Sequence, residues 1–135
     1  MTVTRSNPPT LFHPTDLISQ VVTVTGKRMV YLSGQVAWDT EGNLVGRGDY
    51  AAQSAQIARN IDAALAAVGG TRDDIVEETV FVAGYTPGLL HAIFDPLRAG
   101  TSTVPASTLI GVAALFDPDY LIEVRVIAAV GTEPR

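Results

Sequence analysis

One apolar stretch near the carboxyl end, residues 104–128 (VPASTLIGVAALFDPDYLIEVRVIA), constrains the fold more than any other part of the chain. Both halves are rich in residues that favour strands. Asp117-Pro118-Asp119 separates them, because proline fixes a turn angle and aspartate bonds to its own main chain. The stretch therefore predicts two strands joined by a turn, the second running from Tyr120 to Ala128.

Two charged residues, Glu123 and Arg125, interrupt the second of these strands. Side chains alternate along a strand, so both charges point to one face while Ile122, Val124 and Val126 point to the other. The carboxylate belongs either to a functional site or to a solvated face, paired with Arg125 or with another subunit. The residues by themselves favour the ion pair.

Two further strands are predicted near the amino end, on either side of a glycine turn. The first carries Val22 and Val24, the second runs from about Arg28 to Gln35, and residues 25–28 (TGKR) join them as a hairpin. Residues 1–16 are polar and contain three prolines, so they are predicted to form an irregular N-terminal arm.

An amphipathic helix is predicted after these strands. Apolar residues recur at helical spacing from Ile57 to Val68, with Asp49 as a cap before them and Gly69-Gly70 as a stop after them. Polar residues of this segment, Gln53 among them, are expected on the other sides of the helix.

A strand over Glu78–Val82 precedes a second helix, which starts after Thr86-Pro87 and carries its apolar residues from Leu89 to Leu97. Pro96 is expected to kink or end that helix. The resulting order of strands and helices predicts one α+β domain over residues 1–135, with two helices on one face of the sheet.

Composition excludes several classes of function. A net charge of −5 and a pI of about 4.8 argue against nucleic-acid binding, and no apolar run of membrane-spanning length is present. The absence of cysteine leaves no disulfide and no thiolate site, and two distant histidines make a metal site unexpected. No export signal is seen, so the cytoplasm is the expected compartment.

Charged residues make up only 17% of the chain, against about 25% in ordinary soluble domains. A chain of this length exposes a large surface, which usually carries more charge. The shortage predicts that apolar surface is buried between subunits.

A set of short strings, in the same order along the chain, resembles the Rid (YjgF) family of small proteins. Ser33-Gly34-Gln35, followed by Asp39 and Gly42, is similar to the family's SGQ-x-x-x-D-x-x-G segment. The other similar strings are Gln53 with Asn60-Ile61, residues 76–82 (VEETVFV), Pro105-Ala106 and Ile122-Glu123-Val124. Their agreement in order and spacing extends the resemblance over about Leu17 to Val130.

The resemblance implies a chorismate-mutase-like fold with a mixed or antiparallel sheet, assembled as a homotrimer with clefts between the subunits. It implies hydrolysis of reactive enamines or imines, such as 2-aminoacrylate, to a keto acid and ammonia. No cofactor and no metal take part. The expected partners are therefore a small-molecule substrate and further copies of the chain, with neither nucleic acid nor membrane.

The resemblance also implies roles for individual residues. Glu123 stands where the family has the acid that orients water, and adding water to a C=N bond needs such a group. The residues expected to hold the substrate are Ser33, Gly34, Ala106, Ser107 and Thr108. A bulge or close packing explains Ser33 and Gly34 equally well, and Thr108 is more simply the start of a strand.

One departure concerns Ser107, which stands where the deaminases carry an arginine that grips the substrate carboxylate. A hydroxyl offers one hydrogen bond but neither a charge nor a two-pronged fork. Losing a charge-assisted pair costs roughly 1.5–3 kcal/mol of binding, or about tenfold to a hundredfold in affinity. Arg125 is either a structural partner or a replacement anchor, whereas Arg98 is assigned a structural role at its helix end.

Three functions remain open from the sequence. The wider pocket left by Ser107 would suit a larger unsaturated acid, such as the 2-aminomuconate associated with some relatives. The alternative is a protein of the same fold that binds a small metabolite or a partner without turning it over. The ribonuclease activity attached to other relatives is disfavoured by the acidic balance.

Overall fold

The structure, a computed structural model that describes residues 2–13 and 16–131, confirms the α+β class. Its strands and helices are β1 (Thr2–Ser6), β2 (Val21–Thr25), β3 (Arg28–Tyr31), α1 (Tyr50–Ala66), β4 (Ile75–Ala83), α2 (Leu90–Arg98), β5 (Ala106–Val112) and β6 (Ile122–Val130). Short 3₁₀ turns over Arg72–Asp74 and Pro87–Leu89 precede β4 and α2. No helix in the described part of the chain is both long and apolar enough to cross a membrane.

The main sheet has four strands in the order β3-β6-β4-β5, in which β4 and β5 are parallel and β6 runs antiparallel to β3 and β4. The two carboxyl-terminal strands therefore exist, but they are not neighbours, because β4 lies between them. The crossover through α2 makes β5 parallel to β4, and β6 then pairs along the other side of β4. The last strand begins at Ile122 rather than at Tyr120.

The N-terminal strands depart most from the prediction. β1 and β2 form a separate antiparallel ribbon, with Thr2 opposite Thr25 and Ser6 opposite Val21. The predicted hairpin between β2 and β3 is therefore wrong, since β3 pairs with β6. The predicted irregular arm contains β1, and its residues 1, 14 and 15 lie outside the described part.

The two helices cover one face of the main sheet and build the core with it. Asp49 caps α1 as expected, accepting a hydrogen bond of 3.0 Å from the backbone of Ala52. Pro96 lies inside α2, which ends two residues later. The buried core combines helix residues with alternate residues of β4 and β6; its members include Ile57, Ile61, Leu65, Ile93, Phe94, Val80, Val82, Ile122, Val124 and Val126.

Gln53 of α1 corrects the predicted polar side of that helix, because it is fully buried. Its Nε2 donates to the carbonyls of Gly46 at 3.2 Å and Asp119 at 3.0 Å, and its Oε1 accepts from the backbone of Leu121 at 2.9 Å. A buried amide is stable when its hydrogen bonds are made. Gln53 therefore fastens α1 to the connection between β5 and β6.

The outer face of the main sheet, opposite the helices, is covered in part by the N-terminal ribbon. A cavity of about 240 Å³ lies between them, lined by Val22 and Val24 of β2 and by Met29, Ala106 and Ile127 of the sheet. The rest of this face is open, and it exposes large apolar side chains, among them Tyr31 and Ile110.

Candidate functional site

Glu123 lies on the outer face of β6, directly against the backbone of Gly34. The contact is set by Gln35, whose backbone N–H donates to Val124 at 2.8 Å and whose carbonyl accepts from it at 2.9 Å. A Cβ atom at position 34 would lie only 2.1 Å from Oε2 of Glu123. Glycine is therefore required for this approach, and the packing role considered for Gly34 serves the candidate carboxylate itself.

The expected ion pair between Glu123 and Arg125 is wrong within the protomer. Among residues 2–13 and 16–131, the four ion pairs are Arg47–Asp119, Arg72–Asp62, His91–Asp95 and Arg98–Glu78. Arg125 is exposed on the same face as Glu123, opposite Thr79 of β4. The two charges stand about 7 Å apart along the strand, at about 3.4 Å per residue.

Ser107 points the other way, toward the helices. It pairs with Glu78 across the parallel strands, and its Oγ donates to Oε2 of Glu78 at 2.6 Å. Arg98, at the end of α2, donates to both oxygens of the same carboxylate, from Nη1 at 3.0 Å and from Nη2. The hydroxyl hydrogen of Ser107 is thus committed to a buried ion pair, in which Arg98 is the cation.

The main sheet divides the predicted site residues into two groups. Gly34 and Glu123 are in contact on the outer face, with Ser33 next to Gly34 in the chain and Arg125 one row away. Ala106 and Thr108 are on the same face, with Thr108 in the row of Thr79 and Arg125, whereas Ser107 lies on the helix side. No cleft of a single subunit can therefore present Glu123 and the Ser107 hydroxyl to one small molecule.

The ion pair of Glu78 and Arg98 escaped sequence reasoning. Glu78 is 2% exposed, and the side chain of Arg98 is 12% exposed. Glu78 looked like an ordinary strand residue, and its partner lies twenty residues away on a helix. The signal available was a charge in a strand whose neighbours at alternate positions, Val80 and Val82, are apolar.

An aromatic cluster of Trp38, Phe116 and Tyr120 borders the outer group beyond Gln35. Phe116 stacks on Tyr120 with ring centres 5.1 Å apart, and Trp38 meets Phe116 edge-on at 5.9 Å. Tyr120 is buried. Burial raises the pKa of its phenol, as do the nearby carboxylates, of which Asp117 has the largest effect.

Neither histidine stands in a metal-binding arrangement. Nε2 of His13 lies 3.0 Å from the carbonyl of Ile18, and His91 pairs with Asp95 on α2. Within the described ranges, no three side chains of histidine, aspartate or glutamate converge as a metal ion would require.

Both the sequence and the fold are similar to those of known proteins. The sequence model of the family described as endoribonuclease L-PSP matches residues 13–130. The Rid-family protein YyfB of Yersinia pestis, described as of unknown function, is 32% identical; the match covers 96% of this chain and all of that one, with a TM-score of 0.89.

Two other solved structures are similar to the chain. YyfA of Yersinia pestis, also described as a Rid protein of unknown function, is 30% identical over 96% of this chain and all of its own, with a TM-score of 0.65. RidA from an Antarctic Psychrobacter is 28% identical, and the match covers 87% of this chain and 92% of that one with a TM-score of 0.66. The two Yersinia matches cover the same share of each chain, so the higher TM-score shows that the fold of this chain is more similar to that of YyfB than to that of YyfA.

Proposed function

The chain belongs to the Rid (YjgF) family, also described as endoribonuclease L-PSP, and from this premise we propose that it hydrolyses a small enamine or imine, releasing ammonia. The substrate is an unsaturated derivative of an amino acid, and one as large as 2-aminomuconate suits a chain with Ser107 in place of arginine. Glu123 accepts a proton as water oxygen bonds to the imine carbon. Glu123 passes that proton to nitrogen, which gives a carbinolamine. The proton of its new hydroxyl group then moves by way of Glu123 to the same nitrogen, and the C–N bond breaks to leave a carbonyl and ammonia.

The observation that carries this proposal is the position of the Glu123 carboxylate against the bare backbone of Gly34. No ion pair with another described side chain occupies that carboxylate. An acceptor that packs against the backbone and is not neutralised by a cation suits a group that must orient water. The face on which it lies is open in the single subunit, so a substrate can approach it.

Arg125 is the anchor we assign to the substrate carboxylate. The hydroxyl of Ser107 is already bonded to Glu78, whereas the guanidinium of Arg125 is exposed on the face of Glu123. Guanidinium groups bind carboxylates through two parallel hydrogen bonds. The separation of about 7 Å along the strand leaves room for a water molecule and a short carbon chain.

The complete site lies between subunits of a homotrimer in this proposal. Glu123 and Ser107 point to opposite sides of their own sheet, so Ala106-Ser107 of one copy approach Glu123 of the next. The open outer face, with Met29, Tyr31 and Ile110 exposed, provides apolar surface for such contacts. Light scattering of the purified protein tests the assembly, and a monomeric mass would contradict it.

The activity is tested by ammonia release from imines that an amino-acid oxidase generates in situ. The panel includes small and bulky side chains, and the variants are Glu123→Gln and, as a matched surface control, Arg59→Gln. We expect Glu123→Gln to lower the enzymatic rate by about 10²–10⁴-fold and the control to keep it. A wild-type rate equal to the spontaneous one on every imine would refute the proposal.

A second candidate function is the binding of a small metabolite without turnover. The observation that favours it is the engagement of Ser107 with Glu78, which removes both charge and hydroxyl from the position of the family's arginine. Saturable binding of substrate-like acids, without ammonia release, would support this alternative. RNA cleavage is disfavoured by the net charge of −5.

A further inference from the structure

A cavity of about 510 Å³ opens between the N-terminal segment and the connection from α2 to β5. Arg5, Asn7 and His13 line one side, and Arg98, Thr101 and Ser102 line the other. None of the site residues assigned above to imine hydrolysis lines this space. Its volume is that of an ordinary small-molecule site.

Arg5, on β1, brings unused hydrogen-bond donors to this cavity. Its Nη2 donates to the carbonyls of Asp73 at 2.9 Å and Ile75 at 3.3 Å, which accounts for two of its five N–H groups. Nε is buried without an acceptor in the described part of the chain. Nη1 has no acceptor in the described part of the chain, so it is the nitrogen at which a ligand in the cavity can bond to Arg5.

The hydroxyls that line the cavity offer hydrogen-bond acceptors. Ser19 donates its hydrogen to the carbonyl of Val104 at 2.6 Å, Thr101 to Arg98 at 2.8 Å, and Ser102 to the carboxylate of Asp73 at 2.9 Å. Each hydroxyl hydrogen is therefore used within the protein, and each oxygen keeps lone pairs that can accept. The cavity thus combines the guanidinium of Arg5 with neutral hydroxyl acceptors.

The charges around the cavity are partly balanced. Arg98 is neutralised by Glu78, and Asp16 adds a carboxylate at the lining. Asp73 lies behind Ser102; burial would raise its pKa, but hydrogen bonds from Ser102 and Thr103 outweigh that effect and lower it, so it stays ionised at neutral pH. Arg5 is therefore the one guanidinium lining the cavity that is not neutralised by a carboxylate, and a purely anionic ligand would leave the acceptors unused.

We propose that this cavity binds a small carboxylic acid that also carries an amino or hydroxyl group. The carboxylate bonds to Nη1 of Arg5, and the N–H or O–H groups of the ligand donate to the hydroxyl oxygens, Thr101 among them. Arg5 lies before residue 13, where the family match begins, and the residues on the α2–β5 connection lie within it. The site is separate from the imine chemistry and binds its ligand without converting it.

Isothermal titration calorimetry with glycine, glycolate and acetate on the full chain tests the proposal. Glycine and glycolate are expected to bind more tightly than acetate, and their relative affinities show whether an amino or a hydroxyl group is preferred. Arg5→Gln should weaken all three by about tenfold or more. Arg59→Gln should bind as the wild type does, because Arg59 is exposed on α1 and bonds to Gln56 there.

Two further variants separate binding from folding. Arg5→Lys keeps the charge and can still donate to the carbonyl of Asp73 or Ile75, but it lacks the several N–H groups of a guanidinium. This variant should therefore retain part of the affinity. Thr101→Val keeps the shape and removes one acceptor, so it should weaken glycine and glycolate but not acetate. The proposal is overturned if no probe binds the wild type at millimolar concentration, or if a folded Arg5→Gln variant binds as tightly.

Discussion

Replacing Gly34 by alanine tests the geometry of the candidate site most directly. The new Cβ would meet Oε2 of Glu123 at 2.1 Å, Cδ at 2.8 Å and Cγ at 3.0 Å. Since ordinary contacts begin near 3.4 Å, the carboxylate must retreat by about 1.3 Å. The φ angle of Gly34 is not in the left-handed region, so alanine brings no backbone strain there.

The expected effects on stability and on activity are different in size. The displaced atoms are the end of a flexible, partly exposed side chain, so the free energy of unfolding should change by less than about 1 kcal/mol. Catalysis is far more sensitive, because a misplacement of about 1 Å can lower a rate about a hundredfold. Gly34→Ala should therefore fold like the wild type and release ammonia about a hundredfold more slowly.

The assay compares ammonia release and thermal unfolding across a small set of variants. Gly88→Ala is the matched control, because its Cβ would meet nothing within 4 Å and its φ is also ordinary. In the Glu123→Gln background, Gly34→Ala should add little further loss, since both changes act on one group. Full activity in Gly34→Ala, or an independent hundredfold loss in the double variant, would refute the assigned role of Glu123.

Three further predictions concern charged residues. Arg125→Gln should raise KM about tenfold for imines that carry a carboxylate and leave the KM of carboxylate-free imines unchanged. Steady-state kinetics measure this, with Arg59→Gln as the control. Equal effects on both substrate classes would show that Arg125 is not an anchor. Glu78→Ala should lower the free energy of unfolding by about 3–5 kcal/mol, because it leaves the buried guanidinium of Arg98 without its carboxylate partner. Urea titration measures this loss. A change below about 1 kcal/mol, the size of an exposed ion pair, would show that the pair is solvated. The pKa of Asp73 is lowered from 3.8 in the folded state, so its stabilising contribution is complete above pH 3.8 and disappears as the pH falls through the folded pKa. The stability difference between wild type and Asp73→Asn should accordingly shrink on acidification below that value, and a constant difference across the acid range would contradict this.

The elements of the fold were predictable from local patterns, but their pairing was not. The turn at Asp117-Pro118-Asp119 does reverse the chain, yet β5 pairs with β4 because the α2 crossover brings it back parallel. A glycine turn likewise suggested a hairpin of β2 with β3. Such signals specify that the chain turns, whereas the choice of neighbouring strand depends on which faces the whole domain buries.

The candidate site was predictable only where its residues are neighbours in a motif. Glu123 and Gly34 were both identified, but their contact depends on the bridge between Gln35 and Val124. The hydrogen bond of Ser107 depends on Glu78 of β4 and on Arg98 at the end of α2. These residues are far apart in the sequence, so no local pattern predicts that they meet. Gln53 was assigned to the polar side because polarity usually means exposure, whereas here three hydrogen bonds make its burial stable.

Among the described residues, the ladder hydrogen bonds of the N-terminal ribbon run between β1 and β2, and a cavity lies between the ribbon and the outer face. Such a unit opens at a lower free energy than the sheet beneath it, so its amide protons exchange with solvent through local rather than global unfolding. Because Arg5 belongs to this ribbon, a ligand bound at Arg5 stabilises the closed state in proportion to its occupancy. Slowed amide exchange in the ribbon is therefore a direct gauge of how full the Arg5 cavity is.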